Sequence, residues 1–207
     1  MRAQLSSVTQ WRAPMIHYLD GRAGLDRQPD LADGMFRDRA AQFVDRLAWD
    51  VGVDAEGREI DQYDALDPVY VVASDAAGRH AGSMRFLPAT GRTMIAEHFP
   101  QLAPGGWAMP GAVECTRLCI APGAAGHVAA ELLLGALGLG LRRGWRRSFG
   151  VFDARMERVY ARLGWPVRVV SRSGPGRDAL CLGSWEFLQA PRAALEARAR
   201  VTLDRVA

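Results

Sequence analysis

The sequence predicts an α/β protein in which a mixed sheet carries helices on its faces, although the pattern is also compatible with α+β. Residues 69–73 and 82–87 are short apolar runs on either side of a turn, which is typical of a β-hairpin. A strand-like run at 112–120 precedes a long apolar segment at 124–143 that has the length of a helix. A shorter strand and helix then repeat that order, and such alternation favours a sheet covered by helices.

The elements before the hairpin are a strand, a helix and a loop. Residues 1–14 form an N-terminal extension, and Met15 is a candidate for the natural start. The alternating run at 15–19 predicts the first strand. Apolar residues recur at helical spacing from 31 to 47, and the acidic stretch at 54–64 predicts an ordered loop.

The elements after the long helix are short. Residues 149–152 predict a strand, and 154–163 predict a helix that ends at Gly164. Residues 167–170 and 180–187 predict two more strands. All these elements belong to a single predicted domain.

That domain covers residues 15–190, and a helical tail is predicted over 191–207. Hydrophobic residues make up 49% and charged residues 24%, which excludes a wholly disordered chain. No apolar run is long enough to span a bilayer, and the N-terminus lacks the apolar core of a signal peptide. The three Cys form no metal-ligand pairs, so we predict reduced thiols, no metal site and a cytoplasmic protein.

The basic residues are unevenly distributed. The chain has no Lys, and residues 142–177 hold ten Arg against Asp153 and Glu157. That segment therefore carries +8, and because the total is +3 the remainder carries −5. Such asymmetry indicates an acidic partner for the later part of the chain.

Arg39, Phe43 and Trp49 are the first candidates for ligand binding. Arg39 and Phe43 are four residues apart and share one face of the predicted helix. An Arg near two aromatic rings suits a ligand with a carboxylate and a flat or cationic part. Ordinary packing of an amphipathic helix explains the same pattern, so that alternative stays open.

The acidic loop contains Glu59, Asp61 and Asp64 within six residues. These carboxylates repel one another unless a cation lies among them, and the cation is a metal, an Arg or a ligand amine. No His or Cys lies nearby to complete a transition-metal site. A solvated acidic loop is the alternative.

Two strands carry further charged candidates. Arg85 lies inside an apolar strand, where it needs a partner that the acidic loop can supply. Glu114 and Thr116 alternate onto one face of the next strand, and Arg117 joins them only if a bulge redirects it. Half-buried structural ion pairs are the alternative for each of these residues.

Taken in order, these residues resemble one family, the acyl-homoserine-lactone synthases. The hallmark residues that match in order and local spacing are Arg39, Phe43, Trp49, Asp61, Asp64, Arg85, Glu114 and Arg117. The connecting text also matches, in Glu-Ile-Asp-Gln-Tyr-Asp, Arg-Phe-Leu-Pro, Thr-Gly-Arg-Thr-Met and Glu-Cys-Thr-Arg. The resemblance covers about residues 15–188, with Thr116 where many members have Ser and Phe86 where many have Leu.

The resemblance implies a fold similar to the GNAT-type acetyltransferases, with three αβα layers and two splayed central strands. It implies acyl transfer from an acyl carrier protein or coenzyme A (CoA) thioester to the amine of S-adenosylmethionine (SAM), followed by lactone formation that releases methylthioadenosine. Both molecules are substrates, so no cofactor is expected. The implied roles are SAM binding for Arg39, Phe43 and Trp49, catalysis for Glu114, Arg117 and Arg85, and an ion-pair network of Glu59, Asp61, Asp64, Arg85 and Arg117.

The resemblance also directs attention to the acyl chain. The implied pantetheine and acyl cleft includes Met94, Thr116 and Gly150, and Gly150 stands where some members have a Thr associated with 3-oxo substrates. We therefore expect a long, unsubstituted or monounsaturated chain without a 3-oxo group. Small residues of the long helix, Gly135, Ala136, Gly138 and Gly140, either approach the chain or pack against the sheet.

The Arg-rich segment suits docking of an acidic acyl carrier protein. The candidate residues are Arg142, Arg143, Arg146, Arg147, Arg155 and Arg158, and a solvated helix end is the alternative. One rival function is a GNAT-type N-acetyltransferase that uses acetyl-CoA, but the expected loop lacks its initial Arg or Gln at Ala121. A second rival is a nucleic-acid-binding module, which no helix-turn-helix or aromatic platform supports, so we expect no nucleic-acid partner.

Overall fold

A single mixed sheet forms the centre of the protein in a computed structural model, which describes residues 15–103 and 108–203. The seven strands are β1 (Met15–Asp20), β2 (Val69–Ser74), β3 (His80–Pro88), β4 (Ala112–Ile120), β5 (Arg147–Asp153), β6 (Arg168–Arg172) and β7 (Leu180–Glu186). They lie in the order β1-β2-β3-β4-β5-β7-β6. All neighbours are antiparallel except β4 and β5, which are parallel, so the predicted mixed sheet and the hairpin of β2 and β3 are confirmed.

Helices lie on both faces of this sheet. They are α1 (Gly21–Arg27), α2 (Pro29–Ala40), α3 (Met94–His98), α4 (Val128–Arg143), α5 (Met156–Leu163) and α6 (Arg192–Glu196). Strand β2 shows the two faces, because Val71 joins the core formed with α4 whereas Tyr70 and Val72 pack against α2. The three-layer αβα arrangement is thus confirmed.

The central strands β4 and β5 are paired over only a short distance. Parallel pairing joins Ala112–Glu114 to Arg147–Phe149 and ends there. On their outer sides, β4 continues along β3 and β5 continues along β7. A cavity therefore opens between two strands that are each held in place by another neighbour.

Three predicted boundaries differ from the structure. The long helix begins at Val128 rather than at 124, and a separate helix, α1, precedes α2. Within the predicted helical tail over 191–207, the described residues 191–203 form an α-helix only at Arg192–Glu196. After this helix, backbone N–H groups bond to buried or half-buried carboxylates instead of to helix carbonyls. The N–H of Arg200 donates to Glu131, and the N–H of Leu203 donates to Glu196. Residues 1–14, the predicted extension, lie outside the described residues.

Most small residues of α4 serve packing. A Cβ atom added at Gly135 would meet Ile16 and Val71, and one added at Gly140 would collide with the ring of Phe187. Gly138 is closed in the same way by Leu203. The packing alternative is therefore confirmed for these three glycines, whereas Ala136 lines the cavity between β4 and β5.

Candidate active site

Six charged side chains meet in one network beside the cavity. They come from α2, the loop before β2, β3 and β4, and they are Arg39, Glu59, Asp61, Asp64, Arg85 and Arg117. The side chains of all six are at most 12% exposed. Three guanidinium groups thus balance three carboxylates, as buried charges require.

Arg39 is surrounded by carboxylates. Its Nε atom donates to Glu59 Oε2 at 2.6 Å, and its two terminal nitrogens donate to the two oxygens of Asp64 at 3.0 Å each. The residue is 1% exposed. These contacts place Arg39 inside the network, and its expected role in SAM binding stays a prediction.

Arg85 connects the acidic loop to β3 and β4. Its terminal nitrogens donate to Asp61 at 2.5 and 3.0 Å, and its Nε atom donates to Thr116 Oγ1 at 3.0 Å. One of the same nitrogens lies 2.8 Å from Asp64. Asp64 also accepts a hydrogen bond from the Tyr70 hydroxyl at 2.7 Å, so it holds two arginines and β2 together.

Arg117 reaches the network because β4 contains a bulge. Ser83 pairs with Cys119 but Arg85 pairs with Thr116, so two residues of β4 lie opposite Met84. Arg117 adopts φ +53°, in the left-handed region that non-glycine residues rarely enter. Its Nη2 atom lies 2.8 Å from both Glu59 and Asp61. The bulge considered from the alternation pattern is therefore present.

The network also fixes the ionisation of Asp64. Burial alone would raise the pKa of its carboxyl, but the guanidinium groups of Arg39 and Arg85 hold that pKa well below its ordinary value. A carboxyl with a lowered folded-state pKa stabilises the fold above its unfolded pKa of about 3.9. This stabilisation is lost as the pH falls through the folded-state pKa.

We therefore expect the free energy of unfolding to decrease as the pH falls below about 4, and Asp64→Asn to reduce this dependence. Urea unfolding at a series of pH values from 7 to 3 measures it. Asp33→Asn is the control, because Asp33 forms an exposed pair with Arg37. An Asp64→Asn variant that keeps the full acid dependence would contradict this assignment.

Glu114 is buried beside the network and holds the start of α3. Its Oε2 and Oε1 atoms accept hydrogen bonds from the backbone N–H groups of Met94 at 2.9 Å and Ile95 at 2.7 Å. Burial raises the pKa of this carboxyl, and the two N–H groups act in the opposite direction. Because Glu114 is 0% exposed and both oxygens face α3, the geometry favours a positioning role over direct acceptance of a proton.

Phe43 and Trp49 form an aromatic stack at the rim of the cavity. After α2 the chain makes a π-helical turn, Ala41–Arg46, and Ala48 at φ +53° reverses its direction. The rings of Phe43 and Trp49 then lie parallel, with centroids 4.9 Å apart. Phe43 is buried beneath the Arg117 guanidinium, whereas Trp49 is 48% exposed and available to a ligand.

The cavity between β4 and β5 has a volume of about 560 Å³. Its mouth carries Trp49, Arg46 and Arg155, and its inner wall is formed largely by apolar and aromatic side chains of the sheet, α4 and α5. Thr116 and Gly150 lie on this wall, as expected. The shape suits a long apolar group that enters between the splayed strands.

The comparisons with known proteins agree with this geometry. The sequence profile of the autoinducer synthases matches residues 24–185. An acyl-homoserine-lactone synthase of Rhizobium etli is 42% identical over 162 residues, which cover 74% of this chain and 76% of the relative. The chain belongs to the autoinducer synthase family. Its activity is therefore that of an acyl-homoserine-lactone synthase, and it is an acyltransferase.

Solved structures confirm the fold of this autoinducer synthase. The CoA-dependent acyl-homoserine lactone synthase BjaI, with SAM and isopentyl-CoA, superposes with a TM-score of 0.79 at 23% identity, covering 90% of this chain and 89% of that one. An acyl-CoA N-acyltransferase of Pseudomonas aeruginosa superposes with a TM-score of 0.55 at 16% identity, covering 84% and 99%. The expected GNAT-like architecture is thus confirmed.

Met94 takes a different place from the one expected in this autoinducer synthase. It is not among the described residues that line the cavity. Its sulfur instead accepts contacts from Arg117 at 3.4 Å and Arg85 at 3.6 Å, at the start of α3. The reason is that Glu114 ties the Met94 backbone to β4, which turns the side chain towards the network.

The six candidate docking arginines do not form one free basic surface. Arg142 lies over the Tyr18 ring, Arg143 pairs with Asp20, Arg147 pairs with Glu186, and Arg155 pairs with Asp153 and Asp178. Arg146 and Arg158 are exposed and have no acidic partner within the described part of the chain. These two are the strongest remaining candidates for a contact with an acidic carrier.

Several residues of the site were not predicted from the sequence. Tyr63 donates a hydrogen bond to Glu97 at 2.8 Å, and Arg92 pairs with the same carboxylate at 2.7 Å, which ties the acidic loop to α3. Thr93 caps α3 by accepting the Ala96 N–H at 3.2 Å. A Thr before a short helical segment is a recognisable N-cap signal, whereas nothing local indicates the distant Tyr63–Glu97 contact.

The described residues also bear on metal binding and on insertion into a membrane. Among the residues described, no group of three His, Cys, Asp or Glu is placed to hold a metal ion. In the same residues, no helix has the length and apolar character needed to cross a bilayer. All three Cys are free, and burial raises the pKa of the Cys115 and Cys119 thiols to about 12.

Proposed function

We propose that this chain transfers an acyl group from a thioester of acyl carrier protein or CoA to the amine of SAM. It then closes the lactone and releases methylthioadenosine. The observation that carries this proposal is the apolar cavity between β4 and β5, whose mouth is flanked by the Phe43–Trp49 stack and Arg117. The SAM and isopentyl-CoA named with the similar synthase BjaI support this choice of substrates.

The first step joins the two substrates. The neutral amine of SAM attacks the thioester carbonyl, water in the cleft accepts the amine proton, and the C–S bond breaks as that proton passes to the departing thiolate. Backbone N–H groups of β4 beyond Glu114, where pairing with β5 has ended, stabilise the oxyanion. Glu114 and the ion-pair network fix α3 and the acidic loop around these groups, so their contribution is correct positioning.

The second step takes place within the acylated intermediate. The SAM carboxylate attacks its own γ-carbon, forms the ring C–O bond and expels methylthioadenosine. The sulfonium is already a good leaving group, so the protein mainly has to hold the folded conformation. No cofactor takes part in either step of this proposal.

Mass spectrometry of organic extracts from a host that expresses the chain tests the function. We expect an acyl-homoserine lactone that is absent from a host carrying the empty vector. Acetylated amines without any lactone would instead support the GNAT-type N-acetyltransferase, although a cavity of about 560 Å³ is far larger than an acetyl group requires.

The acyl chain is proposed to be long and to lack a 3-oxo group. Gly150 offers no hydroxyl, and a Cβ atom there would lie only 3.0 Å from the Cys115 carbonyl oxygen. The apolar depth of the cavity adds up to about 0.8 kcal/mol for each buried methylene, which selects against short chains. A short 3-oxo lactone as the main product would overturn this choice and leave the acyl transfer unaffected.

Trp49→Ala is expected to raise the apparent Michaelis constant for SAM by about tenfold, with a smaller effect on the acyl donor. The reason is that an exposed ring held flat on Phe43 is suited to stack on the adenine. Steady-state kinetics with each substrate varied separately measures the two constants. Trp49→Phe, which keeps a ring, should retain most of the affinity, and an effect confined to the acyl donor would refute this division of the site.

Reversing the charge of both Arg146 and Arg158 to Glu is expected to raise the Michaelis constant for acyl carrier protein on the order of tenfold. The effect should shrink in high salt, because salt screens exposed charges. A double reversal of Arg22 and Arg79, which are 82% and 79% exposed, is the control for net charge. Docking at Arg146 and Arg158 would be rejected if the two double variants changed the Michaelis constant equally. It would also be rejected if the Arg146 and Arg158 reversal left the Michaelis constant unchanged with every acyl carrier.

A further inference from the structure

The ring of Phe187 lies at the inner end of the cavity. The mouth is at the carboxyl ends of β4 and β5, where Arg155 follows β5. The opposite ends of the two strands stay paired, at Ala112–Glu114 and Arg147–Phe149, so the sheet is closed there. Phe187 follows β7 directly, and its N–H donates to the Arg146 carbonyl oxygen at 3.2 Å, which places Phe187 beside this closed end.

Helix α4 leads along the cavity to the same ring. Ala129, Leu133 and Ala136 line the cavity, and their spacing puts them on one face of the helix. Gly140 is the next position on that face, but it is not among the described residues that line the cavity. The reason is that the Phe187 ring covers it, since a Cβ atom at Gly140 would overlap that ring. The helix rises about 16 Å from Ala129 to Gly140, which gives a long acyl chain a wall to lie along.

Other aromatic rings hold Phe187 in this position. The ring centroids of Trp145 and Trp165 lie 5.9 and 5.7 Å from that of Phe187. Trp145 also contacts Phe86 at 5.5 Å, and it is not among the described residues that line the cavity, so it supports both phenyl rings from behind. An acyl chain that reaches Phe187 can advance only by displacing a closely packed ring, which protein interiors resist.

We infer that Phe187, packed on Gly140, closes the acyl cleft and sets the longest acyl chain that the enzyme accepts. This inference rests on the proposed function and gives the proposed long chain a defined limit. Each methylene that fits before the ring adds up to about fourfold to kcat/KM. A methylene beyond it should cost about tenfold or more, so kcat/KM rises gradually with chain length and then falls sharply. Phe187 is thus a specificity determinant and takes no part in bond making.

The test uses unsubstituted acyl thioesters with even-numbered chains from hexanoyl to octadecanoyl. They are attached to whichever carrier, CoA or acyl carrier protein, supports turnover. Phe187→Leu shortens the side chain at the inner end, so the first chain that the wild type rejects should gain about tenfold or more in kcat/KM. Ala136→Val adds bulk to the wall just before the ring and should move the sharp fall to shorter chains. Because Ala136→Val removes no core ring, it tests the inference even if Phe187→Leu loses stability.

Phe149→Leu is the matched control. Phe149 is also a buried ring on the central sheet, but it packs with Ile95 and Leu102 and is not among the described residues that line the cavity. This variant should keep the wild-type dependence on chain length. A wild type without a sharp fall, or an unchanged limit in Phe187→Leu or Ala136→Val while lactone is still formed, would overturn the inference. A protein that forms no lactone from any thioester would instead refute the proposed function.

Discussion

Glu59→Gln is expected to lower the free energy of unfolding by about 3–5 kcal/mol, the usual cost of removing one partner from a buried ion pair. Glu59 is 1% exposed and accepts hydrogen bonds from Arg39 at 2.6 Å and from Arg117 at 2.8 Å. The amide has no charge to balance either guanidinium. Chemical denaturation at neutral pH measures the loss.

Glu56→Gln is the control for this variant. Glu56 lies three residues earlier in the same loop and forms an exposed pair with Arg58, so its loss should cost at most about 1 kcal/mol. We also expect Glu59→Gln to reduce lactone synthesis, because Glu59 connects α2 to the bulge of β4. A Glu59→Gln variant as stable as Glu56→Gln would show that the network does not hold these elements together.

Glu114→Gln is expected to lower kcat/KM by about 10²-fold, the scale of a displacement of about 1 Å in a reacting group. It should also lower the free energy of unfolding by about 1–3 kcal/mol. An amide has a single acceptor oxygen, so either the Met94 or the Ile95 N–H would lose its partner. Kinetics and denaturation of the same preparation measure both effects.

The pH profile separates positioning from proton transfer. If Glu114 acts through α3, the variant loses activity at every pH and the shape of the profile is retained. If Glu114 is itself the base, the acid limb set by its raised pKa disappears from the variant. Glu131→Gln is the control, because Glu131 is another buried glutamate, on α4 and away from the network.

Much of the site was predictable because its charges cannot be buried alone. Arg85 lies in an apolar strand and required an acidic partner, and the three carboxylates in one loop required cationic partners. The network pairs these groups with one another and with two further arginines. The buried position of Arg39 was harder to predict from the sequence. Its spacing from Phe43 indicated that the two residues share a helical face, but this spacing does not show which distant loop covers that face.

The remaining features depend on tertiary contacts that leave no local pattern. The hydrogen bonds of Glu114 to α3 require a short helix that periodicity does not reveal in five residues. The docking arginines illustrate the same limit, because Asp20 and Glu186 neutralise Arg143 and Arg147 from distant parts of the chain. The net charge of the Arg-rich segment therefore predicted a larger free basic surface than the structure contains.

The central claim is that one cleft performs both acyl transfer and lactone formation. The most direct measurement incubates purified protein with SAM and an acyl thioester, and follows free thiol, methylthioadenosine and lactone in the same samples. We predict that the three products appear in equal amounts and that none forms when either substrate is omitted. Free thiol with acylated SAM but without methylthioadenosine, or methylthioadenosine without thiol, would contradict the claim.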